Sequence, residues 1–158
     1  MDEFLMQDDL GYKYLIFNLD ESYALELTKV LEIVELSSIS KVPETPDYIL
    51  GIMNLRGHVL PIIDLRLRFK RKTKERTGKE CVIIIDFDGN NVGIIADTVV
   101  DLISIPPESI APPPQVGSDY SHVFVKGIGI HGDEMKLILD CDKIIYLNDL
   151  DFVKEEKK

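Results

Sequence analysis

The sequence predicts an all-β protein made of two small barrels that lie side by side. Short apolar stretches alternate with turn residues about every 8–12 residues, which is typical of barrels and sandwiches. Long amphipathic patterns with helical spacing are absent between them, and this disfavours a parallel sheet with crossover helices. The second half also repeats the apolar spacing of the first half. Two copies of one β unit with about five strands fit two closed barrels, which leave few exposed sheet edges.

The first copy, residues 14–69, contains five predicted strands. A polar turn joins the first two strands, and the sequence NLRGH at 54–58 has the Asn and Gly of a tight turn between the last two. In the third strand, simple alternation places Val30, Glu32 and Val34 on one side. The predicted strands of this copy are 14–19, 23–27, 30–36, 48–55 and 59–65.

The second copy, residues 81–147, follows a hydrophilic linker at 70–79 and contains a long Pro-rich loop. Apolar residues at roughly helical spacing near the end of the chain predict a short C-terminal helix within 143–152, and the charged tail after it is expected to fray. The predicted strands of this copy are 81–87, 92–105, 123–130 and 135–141.

Two fixed offsets in residue number relate the two copies. The first offset aligns Val30 with Val99, and the apolar residues around them coincide. The second offset aligns Gly51 with Gly127 and is longer, and the additional residues fit within the Pro-rich loop of the second copy. The whole chain, 1–158, is therefore interpreted as one domain with an internal duplication.

The composition argues against several classes of function. The 158 residues carry a net charge of -10, which disfavours generic binding to nucleic acid or to an anionic membrane. No apolar run approaches the ~18 residues of a membrane span, and the acidic start lacks the features of a signal peptide. Cys81 and Cys141 lie in apolar runs without a CxxC partner, so both are predicted to be reduced, buried thiols.

No pattern in the sequence indicates catalysis or a bound metal. The motifs GxSxG, Walker A and HExxH are absent. His58, His122 and His131 do not combine with the cysteines at zinc-site spacing. Asp64 and Asp140 occupy equivalent strand ends, where turn or capping roles are expected. We therefore expect a protein that is not an enzyme and that holds neither metal nor cofactor.

A basic run covers the linker and the residues just before it. Eight of the 18 basic residues fall between Arg66 and Lys79, and Phe69 is the one aromatic residue among them. A solvated linker, a docking patch for an acidic protein surface and a nucleic-acid patch are all compatible with such a run. The acidic remainder of the chain disfavours the last of these.

The stretch GIMNLRGHVLPIIDL at 51–65, preceded by VLEIVE and followed by VGIIADTVVDLI, resembles the CheW family of chemotaxis coupling proteins. The resemblance covers about residues 12–150. The same domain type also occurs in CheV and at the C-terminal end of the histidine kinase CheA, but a stand-alone coupling protein is the best match. The resemblance implies two SH3-like five-stranded barrels, a cytoplasmic location with recruitment to membrane receptor arrays, and no catalysis.

The same resemblance implies partners and site residues. The partners would be the cytoplasmic tip of chemoreceptors, the regulatory domain of CheA and other CheW-like domains. A receptor-binding groove between the barrels would include Val30, Ile33, Val99 and Val100. The arginine and glycine of NLRG, Arg56 and Gly57, would lie near an interface, with Glu32 as the acidic partner of Arg56.

Two alternatives remain open at this point. Arg56 could only tie its turn to the neighbouring strand, with no part in an interface. The chain could also be a scaffold of another sensory or motility array that uses the same domain.

Overall fold

A computed structural model describes residues 12–113 and 123–150 of the chain. Within these residues nearly all regular structure is β, which confirms the predicted fold class. The acidic start, His122 and the charged tail lie outside the described residues. The strands are β1 Lys13–Leu19, β2 Glu21–Glu26, β3 Val30–Glu35, β4 Ile49–Leu55, β5 His58–Ile63, β6 Cys81–Phe87, β7 Asn90–Ala96, β8 Thr98–Ser104, β9 Ile110–Ala111, β10 Val125–His131 and β11 Glu134–Leu139.

The strands form two sheets whose composition corrects the predicted barrel boundaries. One sheet has five strands in the order β3-β6-β7-β5-β4, and the other has six in the order β8-β1-β2-β11-β10-β9. The first sheet is therefore built from 30–96 and the second from both ends of the chain, so neither coincides with 14–69 or 81–147. The reason is an exchange of hairpins. Strand β2 of the β1–β2 hairpin pairs in parallel with β11, and strand β7 of the β6–β7 hairpin pairs in parallel with β5.

The strand registers repeat at the two offsets found in the sequence. At the first offset, a bulge between Val30 and Glu32 in β3 matches a bulge opposite Ile16 and Phe17 in β8. At the second offset, the register shift at Gly51 in β4 matches the shift at Gly127 in β10. Bulges are specific local features, so their recurrence at these offsets is strong support for two copies of one unit.

Two one-turn helices follow equivalent strands and begin at the predicted capping residues. Helix α1 spans Leu65–Arg68, and the Asp64 carboxylate accepts the backbone N–H of Arg66 at 2.8 Å. Helix α2 spans Cys141–Ile144, and the Asp140 carboxylate accepts the N–H of Asp142 at 3.1 Å. The predicted C-terminal helix is thus α2 plus a 3-10 turn at Leu147–Leu150, whereas α1 was not predicted.

The largest apolar cluster joins the two sheets. A line of stacked and tilted rings, Phe17, Tyr23, Phe69 and Phe124, runs through it with centroids 5.3–5.8 Å apart. Two smaller clusters fill the individual sheets. Because the main core belongs to both sheets, their relative placement is fixed by buried apolar area.

The two cysteines are free, as predicted, but only one of them is fully buried. Cys141 is buried in the main cluster, and burial raises the pKa of its thiol to about 12. Cys81 is partly exposed, and burial raises the pKa of its thiol as well. Both thiols are therefore protonated at neutral pH and weak as nucleophiles.

Candidate functional site

The tight turn between β4 and β5 presents Arg56. Arg56 and Gly57 both have positive φ, +51° and +85°, as the two central residues of a mirror-image hairpin turn require. The Asn54 side chain accepts the backbone N–H of Gly57 at 3.0 Å and fixes the turn. An arginine in the left-handed region is conformationally costly, and such residues concentrate at functional sites.

The predicted contact between Arg56 and Glu32 is confirmed. Nη2 of Arg56 donates to both carboxylate oxygens of Glu32, at 2.6 and 2.8 Å. The two side chains are 64% and 39% exposed, so the pair contributes only ~0–1 kcal/mol to folding. Glu32 lies on β3 and Arg56 follows β4, and these are the two edge strands of the five-stranded sheet. The contact therefore requires a sheet that curls its edges toward each other, as in a small barrel.

A cavity of about 280 Å³ opens beside this pair. Its polar rim includes Glu32, Arg56 and Asn91, and its walls include the apolar side chains of Leu31 and Ile84. Concave surfaces with an apolar floor and a few fixed polar groups are typical of binding sites. This one has room for a side chain of a partner next to a fixed guanidinium group.

The structure divides the predicted groove residues into two kinds. Val30 and Val99 are only partly exposed and pack against the main cluster, so they offer little surface for contact with a partner. Ile33 and Val100 are 43% and 54% exposed and are available for contact. Alternation in β3 accounts for the division on that strand, because Val30, Glu32 and Val34 are partly buried whereas Leu31, Ile33 and Glu35 are exposed, as predicted. Val30 packs on the cluster between the sheets, and Val34 packs on a cluster within one sheet.

Two further exposed apolar residues were missed in the sequence. Leu31 and Leu102 are 53% and 47% exposed. The first offset could have found them, because it relates Leu31 to Val100 and Ile33 to Leu102. We call these four residues the apolar stripe: Leu31, Ile33, Val100 and Leu102.

Both strands that carry the apolar stripe border the cluster between the sheets. Val30 of β3 and Val99 of β8 pack against that cluster, and so does Cys81, which is paired with Glu35 of β3. Strands β3 and β8 are edge strands of different sheets. Both halves of the stripe therefore adjoin residues at the seam between the sheets.

The family model for the CheW-like domain matches residues 13–148. The chain belongs to the CheW-like family. It is 32% identical to the chemotaxis protein CheW of Klebsiella aerogenes over 98% of this chain and 93% of that protein. It is 35% identical to CheW of Helicobacter pylori over 80% of this chain and 76% of that protein. Protein FrzA of Myxococcus xanthus is 38% identical over 63% of this chain and 61% of its own length.

A solved structure supports the same fold. The crystal structure of the scaffolding protein TtCheW from Thermoanaerobacter tengcongensis aligns with a TM-score of 0.78 and 37% identity. The alignment covers 88% of this chain and 90% of that chain. No helix in the described residues of this CheW-like chain is long and apolar enough to cross a membrane. The described residues also contain no group of three His, Cys, Asp or Glu side chains placed to hold a metal ion.

A cluster of charged residues that sequence reasoning missed ties helix α1 to both sheets. The Arg66 side chain is 7% exposed and donates to Asp20 at 2.8 and 3.0 Å and to Asp97 at 2.7 and 3.2 Å. Asp20 is in the β1–β2 turn and Asp97 lies between β7 and β8. The hydrogen bond from Arg66 lowers the pKa of Asp20, and the two carboxylates raise the pKa of Arg66.

A second buried arginine of this CheW-like chain positions its C-terminal segment. The Arg68 guanidinium lies 4.6–5.0 Å from the ring centroids of Tyr48, Phe124 and Tyr146. It also donates to the backbone carbonyl oxygens of Lys143 and Ile144 at the end of α2. Leu150, farther along this segment, lines the cavity beside Arg56. Arg68 therefore positions the start of the segment that leads to Leu150.

Proposed function

We propose that this chain is a non-catalytic adaptor that couples chemoreceptors to the histidine kinase CheA. The observation that carries the proposal is the apolar stripe, four exposed apolar residues at repeat-related positions of two edge strands. Exposed apolar surface along a seam is a common feature of protein-binding sites. The names of the relatives support this reading, because CheW proteins of chemotaxis and a scaffolding protein are among them.

The cytoplasmic tip of a chemoreceptor is the proposed occupant of the stripe. A helical hairpin can lay an apolar face along Ile33 and Val100, while Val30 and Val99 hold those positions from the core. The regulatory domain of CheA, or another CheW-like domain, is the second proposed partner. Binding to receptors would recruit this cytoplasmic chain to the membrane array without inserting it into the bilayer.

The pair of Arg56 and Glu32 is proposed to orient a partner rather than to stabilise the fold. Gly57 allows the left-handed turn that presents the arginine, and Glu32 holds the guanidinium in a fixed plane. The free N–H groups of a planar guanidinium can then bind a carboxylate or a carbonyl group of the partner. The adjoining cavity would take a neighbouring side chain.

Truncation of the stripe tests the first part of the proposal. Ile33→Ala and Val100→Ala each remove an exposed anchor that is worth ~1–3 kcal/mol if it is an interface hot spot. Titration calorimetry should show weaker binding of a chemoreceptor cytoplasmic fragment and unchanged binding of the CheA regulatory domain. Met135→Ala is the matched control, because Met135 is 67% exposed on a different hairpin. Unchanged receptor affinity in both stripe variants, with intact circular dichroism, would falsify the groove assignment.

A charge swap tests the second part. Arg56→Glu should leave the melting temperature nearly unchanged and impair kinase activation in a reconstituted receptor array. Adding Glu32→Arg should restore part of the activity, because the two side chains are in direct contact. Normal activity in the single variant would mean that the pair has no part in coupling. A large loss of melting temperature would mean that Arg56 only ties its turn to β3.

The similarity to FrzA keeps a second candidate function, a scaffold of another sensory or motility array. Pull-down experiments separate the two candidates. Retention by a chemoreceptor fragment and a CheA regulatory domain supports the coupling role. Loss of both interactions, with retention by another CheW-like domain, favours the second candidate.

A further inference from the structure

The basic run divides into cations that the fold uses and cations that face outward. Arg66 and Arg68 are buried, and Arg71 forms ion pairs with Glu21 and Asp20. In contrast, Lys72, Arg76 and Lys79 are exposed, and no carboxylate in the described part of the chain forms an ion pair with them. We call these three residues the outer cations. The outer cations, which make no ion pair within the described residues, thus form a cationic surface.

The backbone that carries the outer cations is anchored at several points. The Thr73 hydroxyl donates to the Asp64 carboxylate at 2.6 Å. The buried Glu80 carboxylate accepts the backbone N–H groups of Thr77 at 2.8 Å and Gly78 at 3.0 Å. These backbone hydrogen bonds also lower the pKa of Glu80. Anchored backbone presents its cations with less loss of conformational entropy on binding than a free linker would.

A fourth cation extends the same surface. The Lys74 side chain is 57% exposed, and its ammonium group lies 3.7 Å from the Asp97 carboxylate. This distance is long for a charge-assisted hydrogen bond, so Lys74 keeps donor capacity for another anion. Together with the outer cations, Lys74 gives four exposed positive charges within the short segment 72–79.

We propose that the linker surface formed by Lys72, Lys74, Arg76 and Lys79 binds an acidic peptide segment of a partner protein. The proposal goes beyond the coupling of receptors to CheA, because it lies on a segment that neither the apolar stripe nor the Arg56 turn includes. Carboxylates of an extended acidic segment can reach successive cations along the linker. Each contact would be a charge-assisted hydrogen bond, and several together give specificity for an anionic strand.

The charge distribution favours a short acidic segment over a nucleic acid. Residues 66–79 carry eight cations and one carboxylate, so the rest of the chain carries ten cations and 27 carboxylates. A long polyanion that extends past the linker would meet this acidic surface and be repelled. A peptide segment no longer than the linker avoids that repulsion.

Fluorescence anisotropy at low ionic strength tests the proposal. The probes are a fluorescein-labelled oligoglutamate peptide and a labelled oligodeoxythymidine of equal charge. The wild-type chain should bind the peptide more tightly than the oligonucleotide, with an affinity that falls as salt rises. The double variant Lys72→Glu/Arg76→Glu should bind the peptide at least about tenfold more weakly, because two attractive contacts become repulsive.

The control is the double variant Lys41→Glu/Lys143→Glu. Both of these lysines are exposed and lie outside the linker, so the control changes the net charge by the same amount. Its affinity for the peptide should change less than about twofold. Equal losses of peptide affinity in the two double variants would mean that net charge alone explains the effect, and this result would overturn the proposal. Absence of peptide binding by the wild type, or oligonucleotide binding of equal strength, would overturn it as well.

Discussion

The β4–β5 and β10–β11 hairpins are copies of one another, but their ends carry different chemistry. The first turn holds Arg56, whereas the equivalent position in the second, by the offset that aligns Gly51 with Gly127, is Gly132. Near the second turn, the cross-strand pair Ile130 and Met135 is apolar and exposed, at 48% and 67%. One copy therefore ends in a fixed charge and the other in an apolar patch.

This difference shows where the duplicated unit was constrained and where it could diverge. Bulges, capping aspartates and parallel strand pairs recur in both copies, because each is needed to close the shared core. The hairpin ends contribute little to that core and are free to differ. The two copies of the unit therefore present two unlike surfaces.

The largest expected effect compares equivalent glycines of the two copies. Gly51 has a φ of +149°, and a Cβ there would lie 2.1 Å from the carbonyl oxygen of Ser40. A Cβ at Gly127 would lie 2.8 Å from a methyl group of Ile110, which can move. Gly51→Ala should lower the free energy of unfolding by more than ~3 kcal/mol, and Gly127→Ala by ~1–2 kcal/mol.

Urea denaturation followed by circular dichroism measures both glycine variants. Equal losses would mean that the backbone around Ser40 relaxes as easily as the Ile110 side chain does. The sheet edge at β4 would then be less constrained than its register bulge indicates.

The next effect compares the equivalent helices. Arg66 of α1 is buried with Asp20 and Asp97, whereas its equivalent in α2, Asp142, is exposed. Arg66→Met keeps the side-chain volume but leaves two carboxylates unpaired, so it should lower the free energy of unfolding by ~2–3 kcal/mol. The loss should be smaller than that for a fully buried ion pair, because both aspartates are partly exposed. Asp142→Ala should change stability by less than ~0.5 kcal/mol.

Acid titration of unfolding distinguishes charge from packing at Arg66. The folded-state pKa of Asp20 is lowered, so this carboxylate stabilises the fold above its unfolded pKa, and that contribution is lost as pH falls through the folded pKa. The stability gap between wild type and Arg66→Met should be constant near neutral pH and narrow below about pH 4. A gap that stays constant in acid would mean that Arg66 acts through packing alone.

The strands and the internal repeat could be read from the sequence, whereas the pairing of the strands into two sheets could not. Alternation and turn residues are local signals, and a fixed offset needs only the sequence itself. The parallel pair of Ala24 with Ile138 joins opposite ends of the chain, and no local pattern specifies it. Helix α1 was missed for a related reason, since one turn is too short for a periodic signal and only its Asp64 cap could indicate it.

The candidate site was predicted in part. The contact of Arg56 with Glu32 followed from a family resemblance and is present. The groove residues followed from the same resemblance, and of the four only Ile33 and Val100 are strongly exposed. Alternation along β3 could have corrected this set, because it places Leu31 on the exposed side with Ile33 and Val30 on the partly buried side.

The smallest expected effect transfers the turn of the second copy into the first. Arg56→Gly copies Gly132, and both positions have positive φ, +51° and +65°. Loss of the exposed ion pair should cost ~0–1 kcal/mol. Glycine should return ~0.5–1 kcal/mol by removing the left-handed strain. The net change in unfolding free energy should therefore stay within about 0.5 kcal/mol.

Arg56→Ala is the control that separates these two contributions, because it loses the same ion pair and keeps the strained backbone. It should be less stable than Arg56→Gly by ~0.5–1 kcal/mol in thermal unfolding. Both variants should lose kinase activation equally, since neither carries a guanidinium group. If Arg56→Gly instead costs more than ~2 kcal/mol, the contact with Glu32 holds the two sheet edges together. The contrast between the hairpin ends would then be one of stability and not of partner binding.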